Sequence, residues 1–321
     1  MNAEIKIGIS LFSLAYPFAT GKLDLEGCLK AVHEMGYQGV EIVGPQMIPD
    51  YPTPDDHFCG WLRDKLAKYD LEAYSYGSYV DQFRFSGRSL TEGEIYELAL
   101  MDLTTAAKLG FSCMKTQISM PIPVLERLSM TAEKLNVWIG LELHAPNHCR
   151  DEQWEPMFRA FDRIGKDLVG VVPDTGIFAC RPHRLFLQEA AQQGVSAARL
   201  EQMVQAHAAG CNLQQARAEL EQLNEKESAI LEQLYAEFTP ASMDDLDRIL
   251  PYSRYMHGKF FYINETLEDD SVPFEKIIQH MKNAGFHGAI SAEYEGYFHD
   301  VSVDSIEQAR RYSDLMRGQL A

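Results

Sequence analysis

Short apolar, β-branched runs alternate with segments whose apolar residues recur at helical spacing along almost the whole chain. IKIGISL (5 to 11) precedes DLEGCLKAVHEMG, where Leu25, Cys28, Leu29, Val32 and Met35 share one helical face. GVEIV (39 to 43), LEAYSYG (71 to 77), CMKTQIS (113 to 119), VWIGLEL (137 to 143) and LVGVVPD (168 to 174) follow as strands. Helices are predicted between them through 57 to 68, 92 to 108, near 121 to 134, and from 152 to 164. YMHGKFF (255 to 261), a helix at 273 to 283, GAISAEY (288 to 294) and a helix at 304 to 317 complete eight strand and helix pairs. Parallel strands need crossover connections, usually helical, so the alternation predicts an α/β fold with a parallel sheet. Eight repeats suggest closure into a (β/α)8 TIM barrel spanning residues 1–321 as one domain.

One stretch breaks the rhythm. From 185 to 250 the chain has no strand signal, and Leu213, Ala216, Leu220, Leu223, Ile230, Leu234 and Phe238 fall on one helical stripe. The segment 195 to 210 supplies an antiparallel partner, so a helical insertion between the sixth and seventh strands is expected. It either decorates the barrel as a hairpin or, emerging on the same face as the strand ends, caps a pocket or meets another subunit.

The sequence of 321 residues carries a formal charge of −18, which argues against phosphate-backbone partners and leaves no nucleic-acid face. No run of about 18 apolar residues is present and the first residues lack a basic start, so a cytoplasmic protein with no membrane association is expected. The six cysteines are widely spaced without CxxC and are read as reduced.

Catalytic groups of such barrels come from the C-terminal ends of strands. Glu142, Asp174, His257 and Glu293 sit at or near the ends of four successive runs. Three carboxylates and one imidazole form a ligand set for one divalent metal. Mn²⁺ is the first choice, with Mg²⁺, Zn²⁺ or Fe²⁺ as alternatives. Side chains two apart on a strand share a face, so His144, Lys259 and Glu295 form a second tier nearer the mouth. His144 is the candidate general base, since an imidazole with a pKa near about 6.5 is partly neutral at working pH. Lys259 either neutralises an oxyanion or pairs with a carboxylate of the site, and Glu295 joins it as a substrate-binding candidate. Phe12, Tyr16, Tyr76, Tyr79, Phe178, Phe261, Tyr294 and Tyr297 are aromatics for the mouth or the rim, and Arg181 and His183, just beyond Asp174, either reach substrate hydroxyls or only start the helical insertion.

With these residues in place, the chain resembles the sugar phosphate isomerase/epimerase superfamily of xylose isomerase-like barrels, which hold a divalent metal on Glu, Asp, His and Glu of the last four strands. The resemblance implies Glu142, Asp174, His257 and Glu293 as ligands, and in epimerases of this kind it implies Glu142 and Glu293 as an acid/base pair. Ketose 3-epimerases follow the Asp by a His three residues later, where this chain has Ile177. LELHAPN (141 to 147), PDTGIF (173 to 178) and HGKFFYI (257 to 263) are similar instead to the α subunit of C-glycoside deglycosidases. That narrower resemblance implies a lyase acting on 3-oxo-C-glycosides and 3-oxo-O-glycosides, His144 as catalytic base, and a small β-sheet-rich β subunit in a hetero-oligomer. A metal-dependent keto-sugar isomerase or epimerase is the alternative, and a non-catalytic sugar-binding or assembly subunit is a third reading.

Overall fold

The computed structural model describes residues 5–82 and 84–321. Strands β1 (Lys6–Ser10), β2 (Gly39–Val43), β3 (Glu72–Gly77), β4 (Cys113–Gln117), β5 (Trp138–Leu143), β6 (Val169–Pro173), β7 (Tyr255–Phe260) and β8 (Ala289–Tyr294) all pair in parallel. Their order is β6-β5-β4-β3-β2-β1-β8-β7. The two ends of this order meet at a parallel bridge between Asp174, directly after β6, and His257 in β7. The sheet therefore curls into a (β/α)8 barrel whose seam runs through two of the expected metal ligands.

Each strand except β2, which matches its predicted range, starts or ends within about two residues of the apolar run that predicts it. The strands are buried on both faces, which is why they read as nearly continuous apolar runs. In β2 all five residues of GVEIV are buried, with Glu41 the one charge among them. Helices begin where side chains accept the free N–H groups of the first turn. Asp24 accepts from Gly27, Asp55 from Phe58, and Thr91 with Glu94 closes a reciprocal capping box. Their apolar faces, such as Leu25, Cys28, Leu29 and Val32, pack on the outside of the barrel. Gly258 in β7 permits one such close approach, since a Cβ there would stand 1.7 Å from the Tyr312 hydroxyl of the helix Ser305–Leu320.

Between β6 and β7 lie five α-helices: Arg184–Gln192, Ala197–Ala208, Leu213–Leu220, Glu225–Glu237 and Met243–Ile249. The expected long stripe from 213 to 238 is broken. Glu221 and Gln222 have φ of 31° and 50°, and Asn224 with Glu227 caps a new helix. The Asn-x-x-Glu capping signal thus overrides the apolar periodicity. This helical segment packs on loops at the C-terminal ends of the strands. The His148 ring faces Thr239 Oγ1, Arg150 pairs with Asp245, the Ala241 N–H donates to the Ile177 carbonyl, and His299 pairs with Glu189. All six cysteines are free thiols. No helix among the described residues is long and apolar enough to cross a membrane.

Candidate metal centre

The barrel interior is polar at its C-terminal end, and its charges are nearly inaccessible to solvent. Glu41, Lys115, Glu142, Asp174, His257 and Glu293 are all buried. Ligand atoms of Glu142, His257 and Glu293 lie within 4.8 Å of one another. His257 Nδ1 is 2.8 Å from Glu142 Oε1 and 3.1 Å from Glu293 Oε1. Yet Nδ1 makes no hydrogen bond, because neither oxygen lies along the ring N–H direction. Two ligands at right angles around an ion with bonds of about 2.1 Å are roughly 3 Å apart, which matches these spacings.

Asp174 stands beside this trio rather than within it. Its Oδ1 accepts the Gly176 N–H at 2.7 Å, and its Oδ2 is 2.8 Å from Lys259 Nζ. The same Oδ2 has no well-aligned hydrogen bond, so the contact with Lys259 is an ion pair by proximity that leaves a lone pair unengaged. Glu293 Oε2 is likewise buried without a hydrogen bond. Unpartnered buried polar atoms are rare and costly, and here three of them belong to three of the four expected ligands.

Charge balance points the same way. Four buried carboxylates, Glu41, Glu142, Asp174 and Glu293, face two ammoniums, Lys115 and Lys259. One divalent cation offsets the remaining two negative charges with His257 neutral. Without it the imidazole is drawn into service: burial opposes protonation, but Glu293, Glu41 and Glu142 lift its pKa well above the ordinary value. Against the same burial, Lys115 and His257 hold the Glu142 carboxyl well below its usual range, and His257 and Lys259 bring Glu293 to about 2. The donor set of carboxylates and one imidazole fits a hard or borderline divalent ion.

Two residues that the sequence reading did not single out complete the centre. Glu41 takes a hydrogen bond from Ser10 Oγ at 2.8 Å and places its oxygens 3.1 and 3.2 Å from His257 Nε2. It thereby fixes the ring and turns Nδ1 toward the trio, the usual role of a carboxylate behind a ligating histidine. Lys115 Nζ donates to Glu142 Oε2 at 2.8 Å and to the Tyr79 hydroxyl at 2.7 Å. A charge in the middle of an apolar strand, as in GVEIV and CMKTQ, is the sequence signal for both.

The outer candidates divide. Lys259 Nζ is 3.1 Å from Glu295 Oε1 as well as 2.8 Å from Asp174, so the two sit together above the trio. Burial, with help from Glu293 and Asp174 and against Lys259, pushes the Glu295 carboxyl up to about 7. His144 is half-buried on the loop after β5, its Nδ1 2.7 Å from the Ala145 carbonyl. A carbonyl only accepts, so Nδ1 is the donor nitrogen, and in the neutral ring Nε2 is the one that accepts. Phe178 does not face a substrate; it is 1% exposed and packs in the core, because the short turn capped by Asp174 folds it inward. Arg181 is exposed and donates to the Asp270 carbonyl, lining an outer groove with Pro182, Arg184 and Leu187 instead of the centre. His183 is buried too, stacked 4.0 Å from Phe261. Tyr76 and Tyr294 are core residues, while Phe12, Tyr297 and Phe298 form an aromatic group after β1 and β8.

Residues 29–317 match the family described as xylose isomerase-like TIM barrel. The chain belongs to that family. Among curated proteins, a C-glycoside deglycosidase alpha subunit of Arthrobacter globiformis is 29% identical, covering 98% of this chain and 88% of its own. A 3'-dehydrocarminate deglycosidase alpha subunit of a Microbacterium species is 28% identical, covering 97% and 94%. A sugar phosphate isomerase/epimerase from Parabacteroides distasonis superposes with a TM-score of 0.61 at 14% identity, covering 99% of this chain and 95% of that one. D-psicose 3-epimerase gives 0.61 at 14%, covering 98% and 99%. At such identity the solved barrels establish the fold alone. The relatives of this xylose isomerase-like barrel are enzymes, and those named deglycosidases are alpha subunits.

Proposed function

We propose that this xylose isomerase-like barrel is the catalytic α subunit of a C-glycoside deglycosidase, a divalent-metal-dependent lyase that releases the aglycone from 3-oxo-glycosides. The observation that carries the reading is a buried ligand set with unpartnered donor atoms, one of whose glutamates is followed two residues later by a histidine whose Nδ1 faces the Ala145 carbonyl. Near-full-length relatives named deglycosidase alpha subunits support it. So does Ile177, buried in the core where ketose 3-epimerases carry a histidine.

Glu142, His257 and Glu293, with Asp174 adjacent, would hold the ion. When bound, a divalent cation would supply Lewis acidity to a keto sugar, Mn²⁺ being the first choice for this donor set. His144 takes the C2 proton at Nε2. A neighbouring 3-keto group acidifies that hydrogen, because the electron pair left on C2 delocalises into the carbonyl. The C2 electron pair then forms a C1=C2 double bond as the bond from C1 to the aglycone breaks, and the aglycone leaves with the electron pair of that bond and takes the proton back from His144 Nε2. Lys259, held by Asp174 and Glu295, sets an ammonium near the mouth where negative charge develops on sugar oxygens. A small β-rich second subunit is part of this proposal, consistent with the relatives' designation as alpha subunits.

Turnover of a 3-oxo-C-glucoside by His144→Ala, with metal content measured alongside, tests the reading. Freed aglycone from the wild type and a drop on the order of a hundredfold or more in the variant at unchanged metal content are expected. Interconverted sugar without a released fragment would replace the lyase by an epimerase.

A further inference from the structure

Lys115 is the most deeply buried ammonium of the barrel, with no side-chain exposure, yet no step described above uses it. Its three donors are divided between two acceptors. Glu142 Oε2 lies at 2.8 Å and the Tyr79 hydroxyl oxygen at 2.7 Å, with the ammonium also 4.6 Å from the centre of the Tyr79 ring. These contacts split Glu142 into two distinct oxygens. Oε2 belongs to Lys115, while Oε1 is the one that approaches His257 Nδ1. A carboxylate held this way meets an ion through one oxygen only, in one plane.

Tyr79 is the other half of the arrangement. It is half-buried on the segment after β3, and its oxygen accepts from Lys115 but donates to none of the described residues. An oxygen that accepts from an ammonium keeps its own proton available. Burial pushes the Tyr79 phenol up to about 12, with Glu142, Glu293 and Glu41 adding to the effect against Lys115, so it remains an O–H donor across the working pH range. Through the Lys115 ammonium the phenol stands one hydrogen bond removed from Glu142, so it borders the centre.

We propose that Lys115 is a positioning residue that fixes the Glu142 carboxylate for one-oxygen metal binding and, through the same ammonium, sets the free O–H of Tyr79 as a hydrogen-bond donor to the sugar. The inference rests on the metal-centre part of the proposed function, and only its second half needs the substrate. It makes Glu142 a ligand and not a proton carrier, since both of its oxygens are engaged. Proton abstraction is then left to His144, which suits elimination rather than exchange between two carboxylates.

The test separates the two halves. Mn²⁺ affinity of metal-free Lys115→Met, measured by calorimetry, is expected to fall at least tenfold, in the range of other outer-shell substitutions. Tyr79→Phe is expected to bind Mn²⁺ within about twofold of the wild type while its KM for an aryl 3-oxo-glucoside rises at least fivefold, the magnitude of one lost hydrogen bond. Wild-type Mn²⁺ affinity in Lys115→Met overturns the positioning role. An unchanged KM in Tyr79→Phe, or a loss of Mn²⁺ affinity equal to that of Lys115→Met, overturns the donor role. Should Lys115→Met not fold, a crystal structure of the Mn²⁺-loaded wild type decides the first half. Oε2 of Glu142 on Lys115 with Oε1 on the ion supports it, and a bidentate Glu142 released from Lys115 overturns it. Absence of any turnover by the wild type assayed together with its β subunit would defeat the deglycosidase reading and leave the Mn²⁺ measurements standing on their own.

Discussion

Glu41 and His257, 216 positions apart in the chain, meet inside the barrel with Nε2 at 3.1 Å from Oε1. The contact decides which imidazole nitrogen faces the ligand trio. With Nε2–H donating to Glu41, Nδ1 is the nitrogen left for a cation, and the ring cannot rotate away. Glu41→Gln keeps the volume and removes the charge. Mn²⁺ affinity is expected to drop about 10–100-fold, read by calorimetric titration of the metal-free variant. Unchanged affinity would mean that the ring is fixed by other contacts.

Metal removal should be visible in stability. An ion that binds only the folded chain stabilises it by RT ln(1 + [L]/Kd), about 2.7 kcal/mol at a hundredfold excess over Kd. Chelation is therefore expected to lower Tm by several degrees, with recovery on adding Mn²⁺. Differential scanning calorimetry checks this, and a Tm indifferent to chelator and metal would argue against a bound ion.

Much of this architecture was legible in the chain. The strand runs, their helical partners and the strand-end positions of Glu142, Asp174, His257 and Glu293 all follow from the spacing of apolar residues, because burial on both faces of a parallel strand imposes an apolar run. The inward charges Glu41 and Lys115 were present in the sequence as interruptions of such runs, but nothing local says that they converge on His257 and Glu142 from other strands. Phe178 was misread for a related reason: its orientation is set by the tight turn that the Gly176 N–H makes with Asp174, not by its distance from the strand end. The break at Glu221 was hidden beneath an apolar stripe that continued across it.

Away from the metal centre, Asp102 accepts from the Ser78 hydroxyl at 2.5 Å and the Tyr51 hydroxyl at 2.9 Å, and burial pushes its carboxyl up to about 6 despite these donors. A group whose pKa is raised on folding favours the folded state while protonated. Its contribution is complete below the unfolded value near 4 and is lost as pH rises through about 6. Stability of Asp102→Asn relative to the wild type is thus expected to improve between pH 4 and 7 by about 2 kcal/mol. Urea unfolding of both proteins at the two pH values checks the sign; a difference that is flat with pH contradicts it.

Gly258 lies between His257 and Lys259, with Tyr312 filling the space a side chain would need. Gly258→Ala forces Tyr312 or β7 to move and is expected to cost about 1–3 kcal/mol. Because the strand carries the candidate ligand His257 and Lys259, Mn²⁺ affinity should weaken as well. Thermal unfolding and a metal titration on one preparation would show both effects, and a variant as stable as the wild type would indicate that the helix yields without strain.

The most direct measurement is a calorimetric titration of the metal-free wild type with Mn²⁺ beside Glu293→Gln, which keeps the shape of the ligand and removes its charge. The expected result is one ion per chain in the wild type and an affinity lower by on the order of a hundredfold in the variant. Failure of the wild type to take up an ion, or equal affinity in the two proteins, would contradict a cation held among Glu142, His257 and Glu293.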